Sequence, residues 1–286
     1  TFGTAGEERA APVIGTPDGG VVSFWTWRSS TDEHEDLWAL ELDMDGTILW
    51  QKAYGDYWGN GPESIIALRE NGYLIVSGQH LLDDGTSLLH LGSGGEMFGH
   101  KHFSSELFNN IIQMEEVPPS GYVALGYVVD DLAGGWDLWV VRFDESLNIV
   151  WQKRYGSPVD DVPAAIDPTR DGGFIITGRM APNGDLPPRL EGLVVRLDAD
   201  GNIVWQKTYG GQEQDNLYSI EELPGGGFVA SGVSGSFAEL GLSDIWVLKM
   251  DENGDISESC PAGIGAEAAL EQKEFSIGLV DVPVLV

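Results

Sequence analysis

The chain has 286 residues, 42% of them hydrophobic and 10% aromatic, which suffices for one large domain or two small ones and excludes disorder and collagen. Lys and Arg number 15 against 46 Asp and Glu, and the resulting formal charge of −31 repels phosphate backbones and anionic headgroups, so neither nucleic-acid binding nor membrane insertion is expected. The single cysteine, Cys260, excludes an internal disulfide, a CxxC redox pair and a cysteine zinc cluster, and no apolar run reaches the roughly 18 to 20 residues that span a bilayer. The chain begins on Thr1, inside a repeat, which leads to the expectation of a removed leader and an extracellular or cell-surface location.

Along the chain, one pattern returns five times. The first copy, residues 1–55, carries an apolar segment at Val13, the turn Asp18-Gly19-Gly20, a strand from Val21, a strand at Asp36-Leu37-Trp38-Ala39-Leu40, and Leu49-Trp50-Gln51-Lys52-Ala53-Tyr54-Gly55. The second, residues 56–103, has Ile65, Asn71-Gly72 and Tyr73, and ends on the degenerate Gly99-His100-Lys101-His102-Phe103. The third, residues 104–157, has Ile112, Ser120-Gly121, Tyr122, Asp137-Leu138-Trp139 and Val150-Trp151-Gln152-Lys153-Arg154-Tyr155-Gly156. The fourth, residues 158–211, has Ile166, Asp171-Gly172-Gly173, Phe174 and Val204-Trp205-Gln206-Lys207-Thr208-Tyr209-Gly210. The fifth, residues 212–259, has Ile220, Gly225-Gly226-Gly227, Phe228 and Asp244-Ile245-Trp246, but Glu258 stands at the Trp position.

Val21, Tyr73, Tyr122, Phe174 and Phe228 are spaced 52, 49, 52 and 54 residues apart. Each copy reads as four short strands rich in β-branched and aromatic residues, separated by Gly, Asp and Asn turns, with no segment of helical period. A lone four-stranded sheet cannot bury both faces, whereas sheets packed radially can, so residues 1–259 are expected to form an all-β, five-bladed β-propeller. A sandwich or open β-solenoid is the alternative.

The stretch Asp171-Gly172-Gly173-Phe174-Ile175-Ile176-Thr177-Gly178, followed by Leu193-Val194-Val195-Arg196-Leu197-Asp198 and Gly201-Asn202-Ile203-Val204-Trp205-Gln206-Lys207-Thr208-Tyr209-Gly210-Gly211, resembles the repeat of secreted bacterial and archaeal β-propeller proteins. These have a superficial likeness to quinoprotein propellers. The resemblance covers residues 1 to about 256 and implies the fold, not an activity.

Asp43-Met44-Asp45-Gly46, Asp198-Ala199-Asp200-Gly201 and Asp251-Glu252-Asn253-Gly254 look like the start of a calcium loop, but the bidentate Glu at its twelfth position is missing. They are read as hairpin turns, with weak calcium binding as the alternative and no other cofactor expected. His80, His90, His100 and His102 cluster in the second copy; His90 is expected opposite Met97 or Phe98, out of reach of His100, so a degenerate repeat is favoured over a metal site. Trp38, Trp139, Trp246, Trp50, Trp151 and Trp205 recur and are assigned to the core. Trp25, Trp27, Trp58 and Trp136 break the pattern and form the candidate carbohydrate platform. The recurrent Lys52, Lys101, Lys153 and Lys207 are expected to meet acids at strand ends. No catalytic triad, phosphate loop or nucleotide fingerprint is found, so the chain is expected to be no enzyme; glycoside hydrolysis by two carboxylates is the enzymatic alternative.

Residues 260–286 leave the repeat. Phe275, Ile277, Leu279, Val280, Val282, Val284, Leu285 and Val286 make the end of the chain its most apolar stretch, and leaving a large side chain of this kind in water costs about 1.5 to 3 kcal/mol. Three fates are open: covering its own domain, anchoring or sorting, and adding as a strand to another copy. Residues 260–274, extended, reach on the order of 45 Å, enough for the last. The functional expectation is a secreted, non-catalytic structural or adhesive protein whose copies join head to tail, with surface polysaccharide as a further partner. A lectin-like or glycosidase propeller acting as a monomer is the alternative.

Overall fold

The computed structural model describes residues 7–9, 13–16, 18–28, 35–54, 62–68, 72–77, 86–103, 108–130, 135–181, 190–238, 243–256, 271–273 and 278–280. Among these there is no helix, and every described strand pairing is antiparallel, as the alternating apolar pattern predicts. The described residues fall into two compact units, those up to Glu116 and those from Val117 on.

In the first unit, β1 (Glu7–Arg9) and β2 (Val13–Gly15) both pair with β3 (Val21–Arg28), which continues to β4 (Glu35–Leu42) and β5 (Ile48–Tyr54). A second sheet runs β6 (Pro62–Ala67), β7 (Gly72–Ser77), β8 (Thr86–Gly92) and β9 (Met97–Phe103). Strand β10 (Phe108–Glu116) lies against it: the Ile111 and Met114 amides donate to Thr86 Oγ1 at 3.0 Å and Ser64 Oγ at 3.2 Å. Between the first two sheets lies a core of Val22, Phe24, Leu37 and Ala39 from one and Tyr73, Ile75, Leu89 and Leu91 from the other.

In the second unit, β11 (Tyr122–Asp130), β12 (Gly135–Phe143) and β13 (Ile149–Gly156) follow in order. Next come β14 (Asp161–Pro168), β15 (Phe174–Met180), β16 (Glu191–Leu197) and β17 (Ile203–Gly210). Among the described residues the fifth sheet holds β18 (Asp215–Glu222), β19 (Phe228–Ser234) and β20 (Asp244–Met250). Beyond β20 a single bridge, Met250 to Ile256, is all that pairs with its outer edge among the described residues. This is where Glu258 displaces the recurrent Trp. Ile175, Val194 and Tyr209 of the fourth sheet pack on Leu217, Phe228, Ala230, Trp246 and Leu248 of the fifth.

Register is pinned by a bulge at one place in each hairpin of strands three and four. It falls between Glu41 and Leu42, His90 and Leu91, Arg142 and Phe143, and Arg196 and Leu197. The extra residue moves His90 opposite Gly99 rather than Met97 or Phe98, although its ring still meets Phe98 edge-on at 5.5 Å.

Candidate functional site

The motif Trp-Gln-Lys-x-Tyr-Gly forms the fourth strand of its sheet and reaches across to the next. Trp151 Nε1–H donates to the Ala199 carbonyl at 3.2 Å and Tyr155 O–H to that of Gly201 at 2.6 Å. One sheet on, Trp205 donates to Glu252 O at 3.0 Å and Tyr209 to Gly254 O at 2.6 Å. In the first unit Trp50 and Tyr54 do the same to Ser93 O and Gly95 O, at 2.8 and 2.6 Å. Strand residues two apart share a face, so Trp and Tyr four positions apart both face the neighbouring turn. The lysine between them serves the same latch: Lys153 Nζ reaches Asn202 Oδ1 at 2.9 Å, and Lys207 Nζ reaches Asp255 Oδ1 at 2.8 Å. Burial pushes the Tyr54, Tyr155 and Tyr209 hydroxyls well above the usual tyrosine range, keeping them protonated as donors; nearby Glu96, Asp198 and Asp255 respectively add to the shift.

The turn that receives the latch is the Asp-Gly loop with the look of a calcium site. Its first aspartate accepts amides of its own loop: Asp198 Oδ1 takes the Asp200 and Asn202 N–H groups at 3.0 and 2.7 Å, and Asp251 Oδ1 those of Asn253 and Asp255, both at 2.8 Å. Asp43 and Asp144 repeat the arrangement. Trp139 and Trp246 are buried in the core as expected, whereas Trp50, Trp151 and Trp205 are half-buried, each ring resting on the glycine of the receiving turn.

A second recurrent carboxylate stands five residues after the motif's glycine. Asp161 Oδ2 accepts the Ser157 amide at 2.6 Å, and Asp215 Oδ2 accepts the Gly211 amide at 2.9 Å and the Ser236 hydroxyl at 2.6 Å. Both side chains are fully buried. Burial, reinforced by the Asp137 and Asp160 charges against the Ser157 hydrogen bonds, pushes Asp161 up to about 6. It reaches no solvent and fastens its own loop. This residue went unnoticed in the sequence, although the constant spacing from Tyr-Gly was a legible signal.

Of the aromatic candidates, Trp25 stands opposite Trp38 in the β3–β4 register, the rings edge-on at 5.0 Å. Trp27 is opposite Asp36, its side chain outside the described residues, as is the whole of Trp58. Trp136, at the start of β12, stacks on Tyr127 with centroids 4.4 Å apart and 21° between planes. Its amide donates to Asp160 Oδ1 at 3.1 Å, and its side chain is partly exposed. Trp25 and Trp136 belong to different units. His100 and His102 both face the Ser87 hydroxyl, at 3.3 and 3.0 Å.

The tail meets sheet edges. β21 (Glu271–Lys273) pairs with the outer edge of β17, Gly210 with Glu271 through Thr208 with Lys273. β22 (Gly278–Val280) pairs with β13, setting Leu279 opposite Tyr155 and Val280 opposite Arg154. Phe275, Ile277, Val282, Val284, Leu285 and Val286 lie outside the described residues. The motif strand thus has two uses, side chains latched to the next sheet and backbone edge offered to an added strand. Compared with known proteins, the chain matches no family model and no curated protein.

Proposed function

We propose that this is a secreted, non-catalytic structural or adhesive protein, a five-bladed β-propeller by its repeats, whose copies join head to tail by exchanging the C-terminal strand segment. The observation that carries this reading is the pairing of β21 and β22 with the outer edges of β17 and β13. Each segment contributes three residues of ladder, and the same backbone groups can be satisfied by the tail of another copy. Exchange of an identical element leaves the hydrogen bonds unchanged in kind, and a head-to-tail contact that does not close extends into a filament. The bladed arrangement is supported by the fivefold register and by the repeated latch between successive sheets within each unit. Negative-stain microscopy of the full chain tests the proposal: filaments that disappear when residues 271–286 are deleted support it. Filaments that persist in the truncated protein overturn strand exchange.

The Trp136–Tyr127 stack favours a second reading, binding of a surface polysaccharide. A partly exposed indole stacked on Tyr127, with the Asp160 carboxylate at its backbone amide, offers apolar surface and a hydrogen-bond acceptor of the kind a sugar ring uses. Indole fluorescence titrated with oligosaccharides, in the wild type and in Trp136→Ala, tests this reading; an unchanged spectrum removes it.

A further inference from the structure

The two tail strands dock in one register. Glu271 stands opposite Gly210 and Gly278 opposite Gly156, so the first residue of each meets the motif glycine, and Gln272 and Leu279 then meet the motif tyrosines Tyr209 and Tyr155. The third position is where the ladders differ most in charge: Lys273 stands opposite Thr208, and Val280 opposite Arg154. Backbone pairing is the same in kind on both edges and does not by itself choose which tail strand goes to which sheet.

In the third sheet that row holds a buried ion pair. Arg154 stands opposite Trp139 in the β12–β13 ladder, and Asp137, two residues before Trp139, shares its face. The Arg154 guanidinium donates to the Asp137 carboxylate, and both side chains are buried. Removing one partner of such a pair is strongly destabilising, because a buried charge is left uncompensated.

The fourth sheet keeps the acid and replaces the cation. Thr208 stands opposite Leu193, and Glu191, two residues before Leu193 and 1% exposed, takes the place of Asp137. Thr208 is fully buried, and its Oγ1 has no hydrogen-bond partner among the described residues. The cations of β15 to β17 alternate onto the other face, where Arg179 reaches Asn216 at 3.4 Å, Arg196 reaches Asp171 at 2.5 Å and Lys207 reaches Asp255 at 2.8 Å. Asp215, whose amide donates to Leu190 O at 2.9 Å, adds a second buried carboxylate to this end of the sheet, held by the Gly211 amide and the Ser234 and Ser236 hydroxyls, all neutral donors.

We infer that Lys273 of the tail brings to the fourth sheet the positive charge that Arg154 supplies in the third. Lys273 is placed there by the backbone ladder, its side chain lying outside the described residues. It matches the first tail strand to β17, and Val280 matches the second to β13, whose sheet holds its own cation. A tail shifted so that its first strand lay on β13 would set Lys273 opposite Arg154, and like charges directly opposite are destabilising. This deepens the strand exchange proposed above and rests on it for the origin of the tail, since the same match selects the edge whichever copy supplies the strand.

The test uses the full chain, with hydrogen exchange read separately over residues 271–273 and 278–280. Lys273→Met is expected to speed exchange in the first segment at least about tenfold and to leave the second unchanged. Adding Thr208→Arg, which gives the fourth sheet the cation of the third, is expected to restore protection. Should that variant fail to fold, Glu191→Gln decides: with the carboxylate neutral, Lys273→Met should change exchange by less than about twofold. Protection unaffected by Lys273→Met, or an equal loss in the Glu191→Gln background, overturns the inference. Microscopy of the same proteins separates it from strand exchange. Protection lost in Lys273→Met while the wild type forms no filaments leaves the charge match standing, with the tail docked on its own chain, and refutes exchange. Filaments together with unaltered protection leave exchange standing and overturn the charge match.

Discussion

Trp205 lies on the backbone of Gly254 so closely that a β-carbon there would stand 2.8 Å from its ring. The glycine also sits at φ 77°, a left-handed conformation in which a side chain is strained. Gly254→Ala therefore combines backbone strain with displacement of the indole and is expected to cost about 2 to 4 kcal/mol. Gly46→Ala is the control. Its φ of 79° imposes the same strain, but no described ring lies over it, so only the backbone cost of about 1 to 2 kcal/mol should appear. Urea unfolding of the two variants reads the difference; equal losses would mean that the Trp contact adds nothing.

The Tyr155 hydroxyl is buried and donates to Gly201 O at 2.6 Å. Tyr155→Phe leaves that carbonyl without its donor and is expected to lower stability by about 1 to 3 kcal/mol. The same residue predicts an alkaline limit. With the folded hydroxyl titrating above the unfolded one, the native state holds the proton longer, so stability is lost as pH rises past the ordinary tyrosine value of 10.0. Tyr54 and Tyr209 act in the same direction. Unfolding followed from pH 8 upward should show a steeper decline in wild type than in Tyr155→Phe.

Asp161 sets a second pH dependence, of opposite sense to ordinary acid denaturation. Its folded pKa of about 6 lies above the ordinary aspartate value of 3.8, so between these the native state binds more protons than the unfolded state. Stability contributed by Asp161 is therefore full below the lower value and lost as pH rises through about 6. At lower pH the direction reverses: Asp171 is held below the usual range by the Thr169 hydroxyl first, with burial opposing it and Arg196 helping, and protonating it removes stability. Thermal midpoints are expected to rise from pH 7 to pH 5 and to fall on further acidification, and Asp161→Asn should flatten the first limb.

Strand identity was legible because period-two apolar runs are bounded by Gly turns; Glu258 itself lies outside the described residues. The partners of the motif were not legible. Trp151 and Tyr155 act on carbonyls 48 and 46 residues downstream, and a backbone acceptor leaves no trace in residue identity. Leu147, at φ 59°, stands where the other turns at this repeat position have glycine, and the motif copy before it in sequence has Gly99 and Phe103 in place of Trp and Tyr. The His90 register was missed because a bulge adds a residue without a sequence signature. Tail pairing to β13 and β17 was hidden too, because its ladder is made by backbone groups.

Sedimentation velocity of the full chain over a wide concentration range tests head-to-tail joining most directly. The run should be made at about 0.15 M salt, where repulsion between molecules of charge −31 is screened beyond roughly 8 Å. A weight-average sedimentation coefficient that climbs continuously with concentration, through dimers into longer species without a plateau, is the expected result. A single species of monomer mass, 30.9 kDa, at every concentration would contradict the account.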